Sequence, residues 1–297
     1  MLTKNRRCPQ ALAGWCFIAP QMIGFIFFVL IPLITVFTYA FEEKNLLFGT
    51  SVFTGINNFK QLKNDVLFQK AFFNTLVFSA GVVPLNLILS LWVALFCAQK
   101  AAGINLIRSI IFLPVITSAV AWSIVWKYLL QGGTAGPINY FLSLAGINGP
   151  NWLMTPGWAM FSVIVTRVLK NLGMNVLIFI GAIQNMPIDV IEAAKIDGAQ
   201  SFSLFWKIKL PLLIPTVLMV TIVTIIGSMR VFDSIKLLTD GGPEGSTMVM
   251  VYYIYHQAFK MFATGFASAI AVVLFFIGLL LTVLQWSLRK RISYYEA

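Results

Sequence analysis

The sequence predicts an all-α membrane protein with six transmembrane helices, and three observations support this fold class. Hydrophobic residues fill 59% of its 297 positions and charged residues only 10%, whereas a soluble domain carries about 25% charged residues. Long apolar stretches recur along the chain, and basic residues are concentrated in the segments between them. Because so apolar a surface is stable only against lipid, we expect a multi-pass membrane protein.

Six stretches are long and apolar enough to cross a bilayer, since about 20 helical residues span a hydrocarbon core of about 30 Å. They lie at residues 12–40, 72–98, 107–130, 158–183, 213–232 and 267–288, within one transmembrane domain at 12–288. Prolines inside several of them are tolerated where neighbouring helices supply the missing hydrogen bonds. The first stretch follows three basic residues but is too long for a signal peptide, so we expect a retained membrane helix.

Six spans place both termini on the same side of the membrane, and the basic residues predict which side. If the tails 1–11 and 289–297 and the loops 99–108 and 184–212 are inside, the inner segments hold eleven Lys and Arg and the longer outer segments hold seven. Basic loops stay in the cytoplasm, so an N-in, C-in orientation is expected. The net charge of +11 then reflects topology and contact with anionic lipid, not nucleic acid.

The cytoplasmic loop 184–212 has the pattern of a short helix between two spans. Residues 185–187 suit a helix start, and Gly198 suits a left-handed position at its end. A second short helix is expected from Ser201 to Lys209, ending against Pro211. The residues alone favour two interpretations equally: a helix that docks in a groove of a cytoplasmic partner, or an interfacial connector of spans four and five.

The same loop resembles the EAA loop of ABC importer permeases. The matching residues are Glu192, Ala193, Ala194, Gly198, Ile208, Leu210 and Pro211, with Asp197 directly before the glycine. Residues 53–59 and 237–243 resemble segments of the sugar-permease branch. The resemblance covers nearly the whole chain and points to the carbohydrate and glycerol-phosphate uptake branch, whose members are similar to the maltose permease.

This resemblance implies the type I ABC importer permease fold in a bacterial inner membrane, and a transport subunit rather than an enzyme. It implies a pathway shared with a second permease, for which a paralogue is favoured, and an extracytoplasmic solute-binding protein. It also implies that the eight loop residues couple the chain to two ATPase subunits. The sequence contains no Gly-x-x-x-x-Gly-Lys-Ser/Thr phosphate loop, so ATP is expected on separate chains and no cofactor on this one.

Polar and charged side chains interrupt the fourth span. Arg167, Lys170, Asn171 and Met174 fall on one helical face, and charges at membrane depth normally face a bundle interior or water. By the resemblance, these four residues and Ser228 in span five match positions that contact sugar. If both cations line the pathway, an acidic sugar is favoured, because Arg binds a carboxylate with two hydrogen bonds. The alternative is that they pair with an acidic residue or with helix carbonyls at a subunit interface.

Other residues favour structural roles. His256 is the only histidine and has no metal-ligand cluster near it in sequence, and the three cysteines show no metal or disulfide spacing. Trp122 and Trp126 are expected to be interface anchors. The alternative function is a stand-alone secondary transporter or channel for a small polar solute. It would need ion-coupling groups in the spans and usually an inverted repeat, and neither is clear in the sequence.

Overall fold

The structure, a computed structural model, describes residues 7–45, 47–99 and 101–292. The chain divides into two compact units, which are treated separately. One comprises Met1–Asn64 with Ile254–Leu274, and the other comprises Asp65–Tyr253 with Phe275–Ala297.

The first unit begins with a long helix and continues into a small hairpin. Its elements are α1 (Arg7–Phe25), a π-helical turn (Ile26–Leu30), α2 (Ile31–Tyr39), β1 (Glu42–Asn45), β2 (Thr50–Phe53) and α3 (Asn57–Asn64). The two strands are antiparallel, with Glu42 opposite Phe53. Buried Asn58 donates hydrogen bonds to the carbonyls of Ala40 and Glu42, each at 2.9 Å, and so fixes the base of the hairpin. The all-α prediction gave no strand here.

The second unit contains most of the remaining helices. Its elements are α4 (Val66–Cys97), α5 (Ile104–Ile116), α6 (Ala119–Leu129), a 3₁₀ turn (Gly133–Ala135), α7 (Pro137–Leu144), α8 (Pro156–Gln184), α9 (Ile188–Ile196), α10 (Ser201–Leu204), a π-helical turn (Phe205–Lys209), α11 (Leu210–Met229) and α12 (Asp233–Leu238). Along the chain, α13 (Met250–Tyr255) and α14 (Thr264–Ile292) run from one unit into the other, with a π-helical turn (His256–Lys260) between them.

Within the described residues, five helical segments are long and apolar enough to span a membrane. They are Gly14–Tyr39, Val66–Cys97, Pro156–Gln184, Ser201–Met229 and Thr264–Gln285, and each overlaps one of the six predicted spans. Span two begins at Val66 instead of residue 72, because Asp65 caps the helix by accepting hydrogen bonds from the N–H groups of Leu67 and Phe68.

The predicted third span, 107–130, is not one straight helix. Its place is taken by α5 and α6, which are bent by 102° at a short break, and the total reaches six only if this pair counts as one span. The break has a local cause. Pro114 weakens the last turn of α5, Thr117 is extended, and the Ser118 hydroxyl accepts from the Ala121 N–H to cap α6.

The prediction that a short helix ends against Pro211 is wrong. The helical segment runs without interruption from Ser201 to Met229. The π-helical turn before the proline lets the Leu210 N–H bond to the carbonyl of Phe205, five residues back. In a regular helix the proline ring collides with the carbonyl four residues earlier, and the wider turn relieves this contact.

Helix α8 is the centre of the second unit, where it packs against α4, α5 and α11. The core between them includes Ala94, Val176, Phe179 and Val220, all at most 1% exposed. Gly173 allows α8 to approach α5 closely, since a Cβ atom there would lie 2.4 Å from the carbonyl oxygen of Ile111.

Candidate functional site

The loop that resembles the EAA loop folds as a short helix with a defined end. Helix α9 starts after Pro187 and ends at Ile196. Gly198 has φ +81°, which confirms the predicted left-handed position. The Ala199 N–H bonds to the Ala194 carbonyl at 2.9 Å and the Gly198 N–H to the Lys195 carbonyl at 3.0 Å. This paired pattern satisfies two of the carbonyls that a helix end leaves free.

Most of the α9 surface is open. Glu192, Ala193, Asp197 and Gly198 are exposed, and only Ala194 of the matched loop residues is buried. Ile196 is 86% exposed. A helix that carries exposed aliphatic side chains beside a carboxylate has the composition of a docking surface.

The second half of the motif lies apart from α9 along the chain. Ile208 belongs to the π-helical turn, and Leu210 and Pro211 begin α11. Ile208 and Leu210 are half-buried, whereas Pro211 is exposed. The motif therefore consists of an exposed short helix and the start of a membrane span, joined by α10 and the π-helical turn.

Lys170 contacts the broken span. Its Nζ donates to the carbonyl of Pro114 at 2.6 Å and to the carbonyl of Thr117, and it lies 5.8 Å from the ring centre of Trp122. Both carbonyls belong to the break between α5 and α6. Among the alternatives drawn from the sequence, the structure thus shows helix carbonyls as partners, and they come from the same chain.

Arg167 contacts the end of the fifth span. Its Nη2 donates to the carbonyl of Gly227 in α11 at 3.2 Å. Its Nε is buried and has no hydrogen-bond partner among the residues that the structure describes. The carboxylate of Asp233, at the start of α12, acts on this guanidinium electrostatically.

The other three predicted solute contacts differ in their exposure. Asn171 is half-buried and Met174 is 52% exposed, so both are at least partly accessible on α8. Ser228 is 1% exposed, and its hydroxyl donates to Ser79 of α4 at 2.8 Å. The five residues therefore have different surroundings: two are partly or largely exposed, two donate to backbone carbonyls, and one is inside the packing of α4 and α11.

Sequence reasoning missed the role of the break itself. The indole N–H of Trp122 donates to the Thr166 carbonyl at 3.1 Å, so this side chain ties α6 to α8. The signal available in the sequence was Pro114, followed within four residues by Thr117 and Ser118, inside a predicted span. Within the described ranges, no group of three or more His, Cys, Asp or Glu residues that could hold a metal ion occurs.

Comparisons with known proteins agree on one family. The family model for the "binding-protein-dependent transport system inner membrane component" matches residues 86–294. The multiple sugar-binding transport system permease protein MsmF of Streptococcus mutans is 31% identical over 278 residues, which cover 94% of this chain and 95% of that protein. The lactose transport system permease protein LacF of Rhizobium radiobacter is 31% identical over 280 residues, 92% of each chain.

A solved structure shows the same fold. A chain of the bacterial alginate ABC transporter, determined in complex with an alginate pentasaccharide-bound periplasmic protein, superposes with a TM-score of 0.84 at 21% identity over 96% of both chains.

Proposed function

The chain belongs to the family of binding-protein-dependent transport system inner membrane components, and from this premise we propose that it is the permease subunit of an ATP-driven carbohydrate importer. It is a multi-pass inner-membrane protein and a transport subunit, not an enzyme. A second permease completes the pathway, two ATPase subunits supply the energy, and an extracytoplasmic solute-binding protein delivers the solute. ATP is bound and hydrolysed by the ATPase chains, and we propose no cofactor for this chain.

The observation that carries the proposal is the exposed helix α9 with its glycine-capped end. Ile188, Val190 and Ile196 offer apolar area that a partner can cover, and Glu192 adds a charge beside it. A short helix fixed at both ends can transmit a rigid-body movement of the partner to spans four and five. We therefore assign ATPase coupling to this loop. The assignment implies that the loop lies on the cytoplasmic side and that both chain termini do too.

We propose a neutral sugar as the solute. MsmF and LacF, the relatives compared above, are named for multiple-sugar and lactose transport. Lys170 and Arg167 already donate to carbonyls of this chain, which leaves fewer donors for a carboxylate. Asn171 and Met174, on the open side of α8, supply an amide and an apolar surface that suit hydroxyls and a sugar ring. These two residues are therefore the favoured solute contacts among the five predicted.

The test is purification of the native complex from membranes in mild detergent, with an ATPase assay. An ATPase and a second permease should co-purify with the chain. Gly198→Asp should lose the ATPase, because it places a carboxylate at a helix C-terminus, where negative charge is unfavourable, on the docking surface. A chain that purifies alone, without ATPase activity, would contradict the proposal.

Gly146→Asp is the matched control. Gly146 has φ +74°, and a Cβ atom would meet nothing within 4 Å at either glycine. The backbone penalty is therefore similar at the two sites. ATPase binding should persist in Gly146→Asp, and its loss in both variants would point to general misfolding instead of a lost docking contact.

A further inference from the structure

At two helix breaks in the second unit, backbone carbonyls accept hydrogen bonds from side chains of α8. One lies between α5 and α6, and the other lies between α11 and α12. At membrane depth, such carbonyls need donors from the protein or from water in a cavity, because lipid offers none. Both breaks receive their donors from the same turn of α8.

The first break is held by Lys170 and Trp122. Lys170 Nζ donates to the carbonyls of Pro114 and Thr117, which lie on the α5 side of the bend. On the α6 side, Trp122 donates to the carbonyl of Thr166, four residues before Lys170 on α8. One helical turn of α8 therefore binds both arms of the bend.

The second break is held by Arg167. It donates to the carbonyl of Gly227, in the last turn of α11. The Val231 N–H, which a continued helix would direct to Gly227, instead bonds to Ser228 at 3.4 Å. On the far side of the break, the Asp233 carboxylate attracts the same guanidinium.

The helices that follow the two breaks pack against each other. α6 contacts α12, and Ser123, Ile235 and Leu238 from these two helices are buried. The α6–α12 pair thus follows two breaks whose preceding carbonyls bind Lys170 and Arg167 of α8.

We infer that Lys170 and Arg167 are positioning residues: by binding the carbonyls that precede the two breaks, they fix the directions in which α6 and α12 leave the spans. They thereby set the shape of the transport pathway, instead of binding the solute. A solute ligand would keep its donors open, whereas the Lys170 ammonium is engaged by two carbonyls. This inference rests on the proposed function only in taking the chain to form a solute pathway.

The test measures the position of α6 directly. In the assembled complex in lipid nanodiscs, with Cys8, Cys16 and Cys97 replaced, spin labels at Ile124 of α6 and Leu177 of α8 report one distance by pulsed electron resonance. Both positions are exposed. Lys170→Met and Arg167→Met should each broaden or shift this distance, and Lys170→Arg and Arg167→Lys should restore most of it.

Lys127→Met is the matched control, since it removes an exposed lysine of α6 itself and should leave the distance unchanged. If Lys170→Met fails to assemble, Trp122→Phe removes the bond to the Thr166 carbonyl while keeping an aromatic ring at this position, and it should still broaden the distance. Transport provides the second readout. The maximal rate should fall about tenfold in the Met variants, with an unchanged half-saturating concentration of loaded binding protein and equal losses for neutral and acidic sugars.

An unchanged label distance in both Met variants would overturn the inference. So would a loss of uptake confined to acidic sugars, which would make the cations solute ligands. The distance requires no ATPase activity, so a complex without ATPase would defeat the proposed function while the distance still decides the positioning role.

Discussion

The side-chain amide of Asn175 in α8 donates a hydrogen bond to the amide oxygen of Asn86 in α4, with 2.5 Å between the two atoms. Both residues are buried, at 5% and 0% exposure. Asn175 also donates to the Thr224 hydroxyl of α11 at 3.2 Å, and Asn86 donates to the Val168 carbonyl at 3.1 Å. Since lipid-embedded helices gain little from the hydrophobic effect among themselves, such bonds fix which helices pair and in what register.

We expect Asn86→Ala and Asn175→Ala each to lower the free energy of unfolding by about 0.6–2 kcal/mol, the range for buried interhelical hydrogen bonds. Because the two residues share one bond, the double variant should lose less than the two single losses combined. Thermal unfolding of the detergent-solubilised protein measures this. Asn105→Ala, at an exposed position of α5, is the control and should be nearly neutral; additive losses at positions 86 and 175 would show that the bond contributes nothing.

Gly173→Ala should destabilise the protein by about 1–3 kcal/mol, the usual cost of overpacking. The added Cβ would lie 2.4 Å from the backbone oxygen of Ile111, and α5 would have to move away from α8. Gly181→Ala on the same helix meets no atom within 4 Å and should be neutral or slightly stabilising through helix propensity. Equal unfolding temperatures for the two variants would contradict the close approach.

The parts of this fold that the sequence predicts well are those decided within a few residues. The apolar stretches locate five spans, and Gly198 locates the end of α9, because chain length across a bilayer and a left-handed cap are local requirements. The break after Pro114 and the continuation through Pro211 depend on which hydrogen bonds neighbouring turns can offer. The spacing of apolar residues along the sequence does not show which of these hydrogen bonds form.

The solute-facing residues were harder to predict for a related reason. Helical spacing puts Arg167, Lys170, Asn171 and Met174 on one face of a helix, but spacing does not reveal what each side chain meets. A lysine that reaches two carbonyls and a methionine that stays open look alike in a helical projection. Ser228 has the opposite difficulty, since a serine inside a span suits either a pathway or a bond to a neighbouring helix, and here it binds Ser79.

Asn171→Leu should weaken transport without weakening the fold. The side chain is half-buried, so its replacement leaves the core unchanged, while the amide available to solute hydroxyls disappears. We expect uptake to fall about tenfold, the effect of one lost polar contact of about 1.4 kcal/mol, with an unchanged unfolding temperature.

Ser228→Ala should show the reverse pattern, a lower unfolding temperature and largely retained uptake. Sugar uptake in proteoliposomes and thermal unfolding separate the two, and parallel losses in both assays for Asn171→Leu would assign it a structural role.

Ile196→Ser should release the ATPase subunits while leaving this chain folded. Ile196 is 86% exposed at the end of α9, so its side chain contributes little to folding but offers apolar area to a partner. Burying a side chain of this size contributes about 1.5–3 kcal/mol, and its loss should weaken ATPase binding at least about tenfold. Titration of purified ATPase onto the permease pair in nanodiscs measures the affinity.

Ile147→Ser is the control, because Ile147 is also exposed, at 54%, but lies beyond α7 and away from α9 in sequence. Equal affinities for Ile196→Ser and Ile147→Ser would mean that the aliphatic end of α9 is not covered by the ATPase, and would shift the coupling role to Ile208, Leu210 and Pro211.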